Sequence, residues 1–232
     1  MKIYEFGNPD ADLVLIQPSD EQDLSGMESE VSLIRAQAGR DFRLIALLVD
    51  DWNRDLSPWE APPVFGKEPF GSGAENTLQK ILKIVRQEQQ TGEQQLGEQQ
   101  TGEQQTGVNS CPKTFIIGGY SLAGLFALWA AYQTDAFAGI AAASPSMWFP
   151  GFVDYMKEHE IGSRAVYLSL GDKEEKARNP VMATVGDRMR EAYQWLQDTG
   201  IDCTLEWNQG NHFKEPDLRM AKAFLWAMQN IR

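Results

Sequence analysis

The fold is decided by residues 114–132, which read TFIIGGYSLAGLFALWAAY. The apolar beginning predicts a buried strand over 114–118, and the apolar end predicts a helix over 122–132. Ser121 lies on the turn between them, with a glycine two residues before it and Ala123 two residues after it. Small neighbours are needed there because the strand and the helix approach closely, as in the nucleophile elbow G-x-S-x-G. The stretch therefore predicts a nucleophilic serine, and the alternative is a glycine-rich turn in which Ser121 only caps the helix.

The rest of the chain alternates between strand-like and helix-like segments. Further strands are predicted over 13–17, 43–49, 138–143, 165–170 and 203–207. Further helices are predicted over 24–38, from Asn76 or Thr77 to about Arg86, and over 152–159, 180–199 and 217–230. This order predicts an α/β fold with a mostly parallel sheet and helices on both faces, in a single domain spanning residues 1–232. In such sheets the ligand site lies at the carboxyl ends of the strands.

A serine nucleophile needs a base beside it, and the chain holds only two histidines. His212 follows the last predicted strand directly, which predicts a position at the carboxyl end of the sheet. His159 lies among charges and precedes a strand, so we expect it at the opposite edge, as a solvated surface residue. The sequence therefore predicts His212 as the general base.

A carboxylate must orient the base and balance the positive charge that it gains. In α/β hydrolases the chain order is serine, acid, histidine, so the acid should follow the strand 165–170. Three acidic residues lie there, in the turn GDKEEK. Asp172 is close to the strand end, which leaves Glu174 as the predicted acid and Glu175 as the alternative.

The negative oxygen of an acyl-transfer intermediate requires backbone N–H donors. One donor is predicted at Leu122, directly after the serine. The other is expected from the loop after the strand 13–17, where Pro18 has no N–H group. Ser19 is therefore the predicted second donor, and Gln17 is the alternative.

The segment GGYSLAGLFALWAAYQTDAFAGIAAASPSMWFP resembles the esterase branch of α/β hydrolases that includes siderophore esterases and feruloyl-type esterases. The helix after the elbow and the later A-S-P-S-x-W-[WF] pattern, which contains Trp148, carry the resemblance. It extends over residues 13–230, apart from an insert at 88–107. It implies an α/β-hydrolase fold and a serine hydrolase acting on carboxylic esters, with Ser121 and His212 as the central pair. Members of this branch differ in the acid, and some work mainly as a Ser–His pair.

The long irregular segment 50–73 follows a strand end and is rich in Trp, Phe and Pro. We expect Trp52 from this segment and Trp148 to form an aromatic wall for the substrate, the alternative being a hydrophobic cluster that only holds the loop. Arg54 and Lys67 do not make a basic cluster, so a highly anionic substrate is not predicted. A small-molecule ester is the expected partner.

Composition excludes several functions. The net charge of -12 disfavours nucleic acid and anionic membrane surfaces. Cys111 and Cys203 form neither a disulfide framework nor a zinc motif, so no metal and no cofactor are predicted. The first residues lack the pattern of a signal peptide and no apolar run is long enough to span a membrane, which predicts a cytoplasmic protein. The oligomeric state is left open.

Residues 88–107 repeat a five-residue unit, EQQTG or EQQLG, four times. The segment offers almost nothing to bury, and we interpret it as a surface loop without a catalytic role. The alternative is a fraying continuation of the preceding helix, because Glu and Gln favour helices while the glycines interrupt them.

Three functions remain compatible with the sequence. The first is an esterase that works through an acyl-enzyme, and the second is a thioesterase or peptidase with the same residues. The third is a binding protein that keeps the fold without catalysis, because a fold does not determine a function.

Overall fold

The computed structural model describes residues 1–64, 66–99 and 112–231. The strands are β1 (Lys2–Gly7), β2 (Leu13–Ser19), β3 (Arg43–Leu48), β4 (Thr114–Tyr120), β5 (Gly139–Ala143), β6 (Ala165–Gly171) and β7 (Asp202–Asn208). The α-helices are α1 (Glu21–Gln37), α2 (Trp52–Asp55), α3 (Ala74–Gln99), α4 (Leu122–Ala130), α5 (Phe152–Glu158), α6 (Val185–Asp198) and α7 (Pro216–Asn230). Two short 3₁₀ helices, Glu174–Lys176 and Met182–Thr184, lie between β6 and α6.

The strands form one seven-stranded sheet in the order β1-β3-β2-β4-β5-β6-β7. β1 is antiparallel to β3, and every other pair is parallel. The carboxyl ends of β2 to β7 therefore lie at one edge of the sheet, where ligand sites form in such folds.

Alternate side chains of the central strands point to opposite faces of the sheet. Leu13 and Leu15 belong to a buried cluster shared with α1 and α7. Val14 and Ile16 belong to a second cluster, shared with α3, α4, α5 and α6. Helices therefore cover both faces, which confirms the predicted layered architecture.

β1 is a strand that the pattern of apolar residues does not predict. Five of its six residues are exposed, so it has no buried face to leave a periodic signal. Its place at the edge comes from backbone pairing with β3, which short-range sequence patterns do not encode.

α3 is longer than predicted at both ends. It begins at Ala74 rather than after Asn76 or Thr77, and it continues to Gln99. The prediction of a loop is therefore wrong for residues 88–99, where the helix-forming Glu and Gln residues continue the helix through the first part of the repeat. Residues 100–107, like Cys111, lie outside the described residues.

Glu88 shows why the helix continues beyond Arg86. Its carboxylate accepts hydrogen bonds from Arg43 on β3, at 2.9 Å, and from Lys113, at 2.6 Å. These two ion pairs hold the start of the repeat against the sheet.

None of the described helices is long and apolar enough to cross a membrane.

Candidate active site

Ser121 occupies a strained turn between β4 and α4. Its φ of 56° and ψ of -119° lie in a region that residues with side chains rarely adopt. A Cβ atom at Gly119 would lie 2.5 Å from the backbone of Ala123, so only glycine fits at that position. Backbone strain of this kind persists where the surrounding structure enforces it, and it is concentrated at functional sites.

His212 lies on the loop between β7 and α7, and its ring reaches Ser121. The distance from His212 Nε2 to Ser121 Oγ is 3.0 Å. The hydroxyl of Tyr120, the residue before the nucleophile, donates to the backbone carbonyl of His212 at 2.6 Å. The loop that carries the histidine is thereby tied to the strand that carries the serine.

His159 lies apart from this pair. Its ring stacks on Tyr155 with the centroids 3.9 Å apart, and its Nδ1 lies 2.9 Å from the carbonyl of the same residue. It is exposed at the end of α5.

Glu174 is the acidic residue of the turn after β6 that contacts the histidine. Its Oε2 lies 2.7 Å from His212 Nδ1. Glu175 instead pairs with Arg190 at 2.7 Å, and Asp172 accepts a hydrogen bond from the Gly210 N–H at 2.8 Å.

The second oxygen of Glu174 is saturated with donors. Glu174 Oε1 accepts from the Gly171 N–H at 2.7 Å and from the Ser144 hydroxyl at 2.8 Å. A third bond comes from the guanidinium of Arg219, at 3.0 Å. Burial alone would raise the pKa of Glu174, but the hydrogen bond from His212, its charge, and the Gly171 and Ser144 bonds hold that pKa below its usual value.

A second carboxylate acts on the histidine from α1. Asp23 shares a capping box with Asp20 at the start of this helix. Burial and the charge of Asp20 raise the pKa of Asp23 to about 7, although the hydrogen bond from the Asp20 N–H and the charge of His212 lower it. Burial thus brings the pKa of Asp23 close to neutral pH.

Ser146 provides a second hydroxyl at the nucleophile. Its Oγ lies 3.4 Å from Ser121 Oγ, and either hydroxyl could donate. Its backbone N–H donates to the Ser121 carbonyl at 3.0 Å, which fixes the elbow from outside. The sequence signal for Ser146 is its place directly after β5, at the same edge of the sheet.

The two predicted oxyanion donors lie at different places. Leu122 is the first residue of α4, and the first N–H groups of a helix have no acceptor within it. Ser19 is the last residue of β2; it is buried, its hydroxyl donates to the Gln17 carbonyl, and its own carbonyl accepts from Val49. The Leu122 and Ser19 roles remain predictions.

A cavity of about 560 Å³ opens at Ser121 and His212. Its apolar lining residues are Pro145, Trp148, Ala177, Met182, Val185 and Phe213. Lys173 and Lys176 also line it, and they give it two positive charges that the sequence interpretation did not include.

The structure separates the two tryptophans that were expected to share a wall. Trp148 lines the cavity at Ser121, whereas Trp52, in the first turn of α2, lines a different depression together with Arg54 and Phe70. Trp52 does not line the cavity at Ser121, and its part in a common substrate wall with Trp148 stays a prediction. Phe70, which also lines the depression at Trp52, contacts Trp148 with the ring centroids 5.8 Å apart.

Within the described residues, no group of three or more His, Cys, Asp or Glu side chains is arranged to hold a metal ion. What the cavity offers is a hydroxyl, an imidazole and a carboxylate in a hydrogen-bonded series.

No protein-family model matches the chain, and no curated protein matches it. Solved structures do. A siderophore hydrolase, EstA from Aspergillus nidulans, is 19% identical with a TM-score of 0.65, over 94% of this chain and 83% of that one. An IroE-like serine hydrolase from Shewanella oneidensis is 14% identical with a TM-score of 0.67, over 92% of this chain and 69% of that one. The fluorophosphonate-binding serine hydrolase FphF from Staphylococcus aureus is 11% identical with a TM-score of 0.57, over 98% of each chain. The chain therefore has the predicted α/β-hydrolase fold.

Proposed function

We propose that the protein is a serine hydrolase that cleaves carboxylic esters through an acyl-enzyme, with Ser121, His212 and Glu174 as its catalytic triad. The observation that carries this proposal is the continuous series of contacts from Ser121 Oγ to His212 Nε2, at 3.0 Å, and from His212 Nδ1 to Glu174 Oε2, at 2.7 Å. The strained backbone of Ser121 and the cavity around it support the proposal.

The chemistry follows from these contacts. Ser121 Oγ attacks the ester carbonyl while its proton passes to His212 Nε2. His212 then donates that proton to the departing alkoxide, which leaves as an alcohol. The acyl group remains on Ser121 until water, activated by His212, attacks it and releases the acid.

Glu174 keeps the imidazole in the tautomer that this sequence of steps requires. Because Oε1 faces three donors, the negative charge of the carboxylate is held in place and Oε2 accepts from Nδ1–H. The free electron pair of the ring is then on Nε2, which faces Ser121. The N–H groups of Leu122 and Ser19 are the proposed donors to the oxyanion.

The proposed substrate is a small-molecule ester with an apolar acyl or aryl group. The mainly apolar walls of the cavity, with Trp148 among them, support this choice. Trp52 would contact only a substrate long enough to reach the neighbouring depression.

The first experiment is labelling with a fluorophosphonate, which reacts only with an activated serine. Ser121→Ala should abolish labelling and hydrolysis of p-nitrophenyl acetate while the circular dichroism spectrum stays unchanged. Ser146→Ala is the matched control, since it removes the neighbouring hydroxyl, 3.4 Å from Ser121 Oγ, and leaves the contact between Ser121 and His212 in place. Labelling of Ser121→Ala at the wild-type rate would show that another residue is the nucleophile.

The same experiment separates catalysis from mere binding, because a binding protein with this fold would not take up the label. An oxyester, a thioester and an amide that share one acyl group then rank the three possible reactions by kcat/KM. We expect the oxyester to be hydrolysed fastest, and a higher value for the thioester would favour a thioesterase.

A further inference from the structure

Arg219 is a fully buried cation behind the proposed triad. It lies on α7 and is 2% exposed. A buried charge is costly unless it is paired and hydrogen-bonded. Removing one partner of such a pair strongly destabilises the fold, because the other charge stays buried without compensation. A guanidinium at this position therefore needs several acceptors in fixed places.

The acceptors come from the segments that carry the triad. Arg219 Nη1 lies 3.0 Å from Glu174 Oε1 and 3.1 Å from both Tyr120 Oη and Ser144 Oγ. Arg219 Nη2 donates to the Asn211 carbonyl at 3.0 Å.

Three of these contacts involve Glu174 itself or a residue next to Ser121 or His212 in the chain. Tyr120 precedes Ser121, and the carbonyl of Asn211 precedes His212 in the chain. Glu174 is the proposed acid itself. The five N–H donors of a guanidinium form a rigid fork, so one side chain can hold all three segments in register.

We propose that Arg219 is a positioning residue, which fixes Glu174 and the His212 loop and, by its charge, limits the proton affinity of the Glu174–His212 pair. The proposal rests on the proposed function, because it assigns Arg219 to the same triad. Arg219 itself touches none of the reacting atoms.

The electrostatic part follows from the groups that surround His212. Glu174 contacts it from the turn after β6, and Asp23 acts on it from α1. The Tyr120 ring lies 5.2 Å away, and Lys173 shares the cavity. Among the described residues, Arg219 is the Lys or Arg cation that forms an ion pair with the Glu174 carboxylate, at 3.0 Å. Without Arg219, the proton affinity of the Glu174–His212 pair would rise, whether the proton sits on the carboxylate or on the imidazole.

The test compares Arg219→Met, which removes the charge, with Arg219→Lys, which keeps the charge but loses the fork. Lys222→Met is the matched control, because it removes a cation one turn further along α7 that pairs instead with Glu206. The first readout is the NMR titration of the His212 ring, assigned with the help of a His159→Gln variant. The second is the pH profile of kcat/KM.

For Arg219→Met we expect the titration midpoint of the His212 resonance to rise by about one pH unit or more. The acid limb of kcat/KM should move up with it, and kcat at neutral pH should fall roughly 10²-fold while KM changes little. Arg219→Lys should keep the wild-type midpoint but lose kcat. Lys222→Met should match the wild type in both readouts.

An unchanged or lower midpoint in folded Arg219→Met would overturn the electrostatic part. Should Arg219→Met fail to fold, Arg219→Lys decides, and wild-type kcat in that variant would overturn the positioning role. The NMR titration does not depend on turnover. If the wild type hydrolyses no ester and takes up no fluorophosphonate, the proposed function fails, while the shift in the midpoint still tests Arg219.

Discussion

Replacing Glu174 by glutamine should convert His212 to the unproductive tautomer. The structure fixes the orientation of the new amide, because the Oε1 position faces three donors, from Gly171, Ser144 and Arg219. The amide oxygen must occupy that position, which leaves the NH₂ group 2.7 Å from His212 Nδ1. Nδ1 then has to accept, so the ring proton moves to Nε2, which can no longer take the proton of the serine.

The expected loss is about ten-thousand-fold in kcat for a triad histidine held in the wrong tautomer. That factor corresponds to about 5.5 kcal/mol of activation free energy. The assay is hydrolysis of p-nitrophenyl acetate at saturating substrate, together with the rate of fluorophosphonate labelling. A ¹⁵N NMR spectrum of the His212 ring should show the proton on Nε2.

Glu175→Gln is the matched control, one residue along the same turn. Glu175 pairs with Arg190 and its side chain is 30% exposed, so the change should alter kcat less than ~threefold. A loss confined to Glu175→Gln would transfer the role of the acid to that residue. If Glu174→Gln loses less than about tenfold, or 1.4 kcal/mol, the protein works as a Ser–His pair and the tautomer argument is refuted.

Further changes test other parts of the molecule. His212→Ala should abolish hydrolysis and His159→Ala should leave kcat/KM unchanged; equal losses in steady-state kinetics would show that the base has been misplaced. Replacing residues 92–107 by a short linker should leave kcat/KM nearly unchanged, because every residue that lines the cavity at Ser121 belongs to another part of the chain, and a large loss would show that the segment contributes to the site. The cut must spare Glu88, whose ion pairs with the sheet should make Glu88→Ala measurably less stable in urea unfolding. Burial raises the pKa of Glu30 well above its usual value, so the unfolded chain loses this proton first and stability falls as the pH rises above about 4.5. Glu30→Gln should remove that slope and raise the free energy of unfolding at pH 8 by about 1 kcal/mol or more, and a steeper slope in the variant would contradict the reasoning.

The placement of the proposed triad could be predicted because it depends on short-range patterns and one topological rule. The apolar strand and helix around Ser121 define a turn at the carboxyl end of β4. His212 and Glu174 follow β7 and β6, and parallel strands bring their carboxyl ends to one edge. The sequence could not choose between Glu174 and Glu175 on periodicity, since both belong to one short turn whose 3₁₀ conformation directs them to different partners.

Arg219 escaped the sequence reasoning although a signal for it exists. On α7 it shares a face with Ala223 and Ala227, four and eight residues later, and all three are buried. A charged residue within an apolar stripe has to find partners in the interior. The sequence shows that such a partner is needed, but only the packing of α7 against β4, β5 and β6 identifies Glu174, because nothing in the chain marks residues 45 positions apart as neighbours.

α7 contributes both to the hydrophobic core and to the proposed active site. Its apolar face closes one side of the sheet, with Phe224 filling the space beside Gly118, where an added Cβ would lie 2.7 Å from the ring. Its buried cation, Arg219, contacts Glu174, whose carboxylate lies 2.7 Å from His212 Nδ1. A shift of α7 that relaxed the core would therefore move the cation as well, and geometry within about an ångström matters for transfer of the proton. Substitutions in the core under α7 should thus reduce kcat before they unfold the protein, whereas equally destabilising substitutions under α5 and α6 at Met156 or Leu196, which do not line the cavity, should leave kcat intact until the fold is lost.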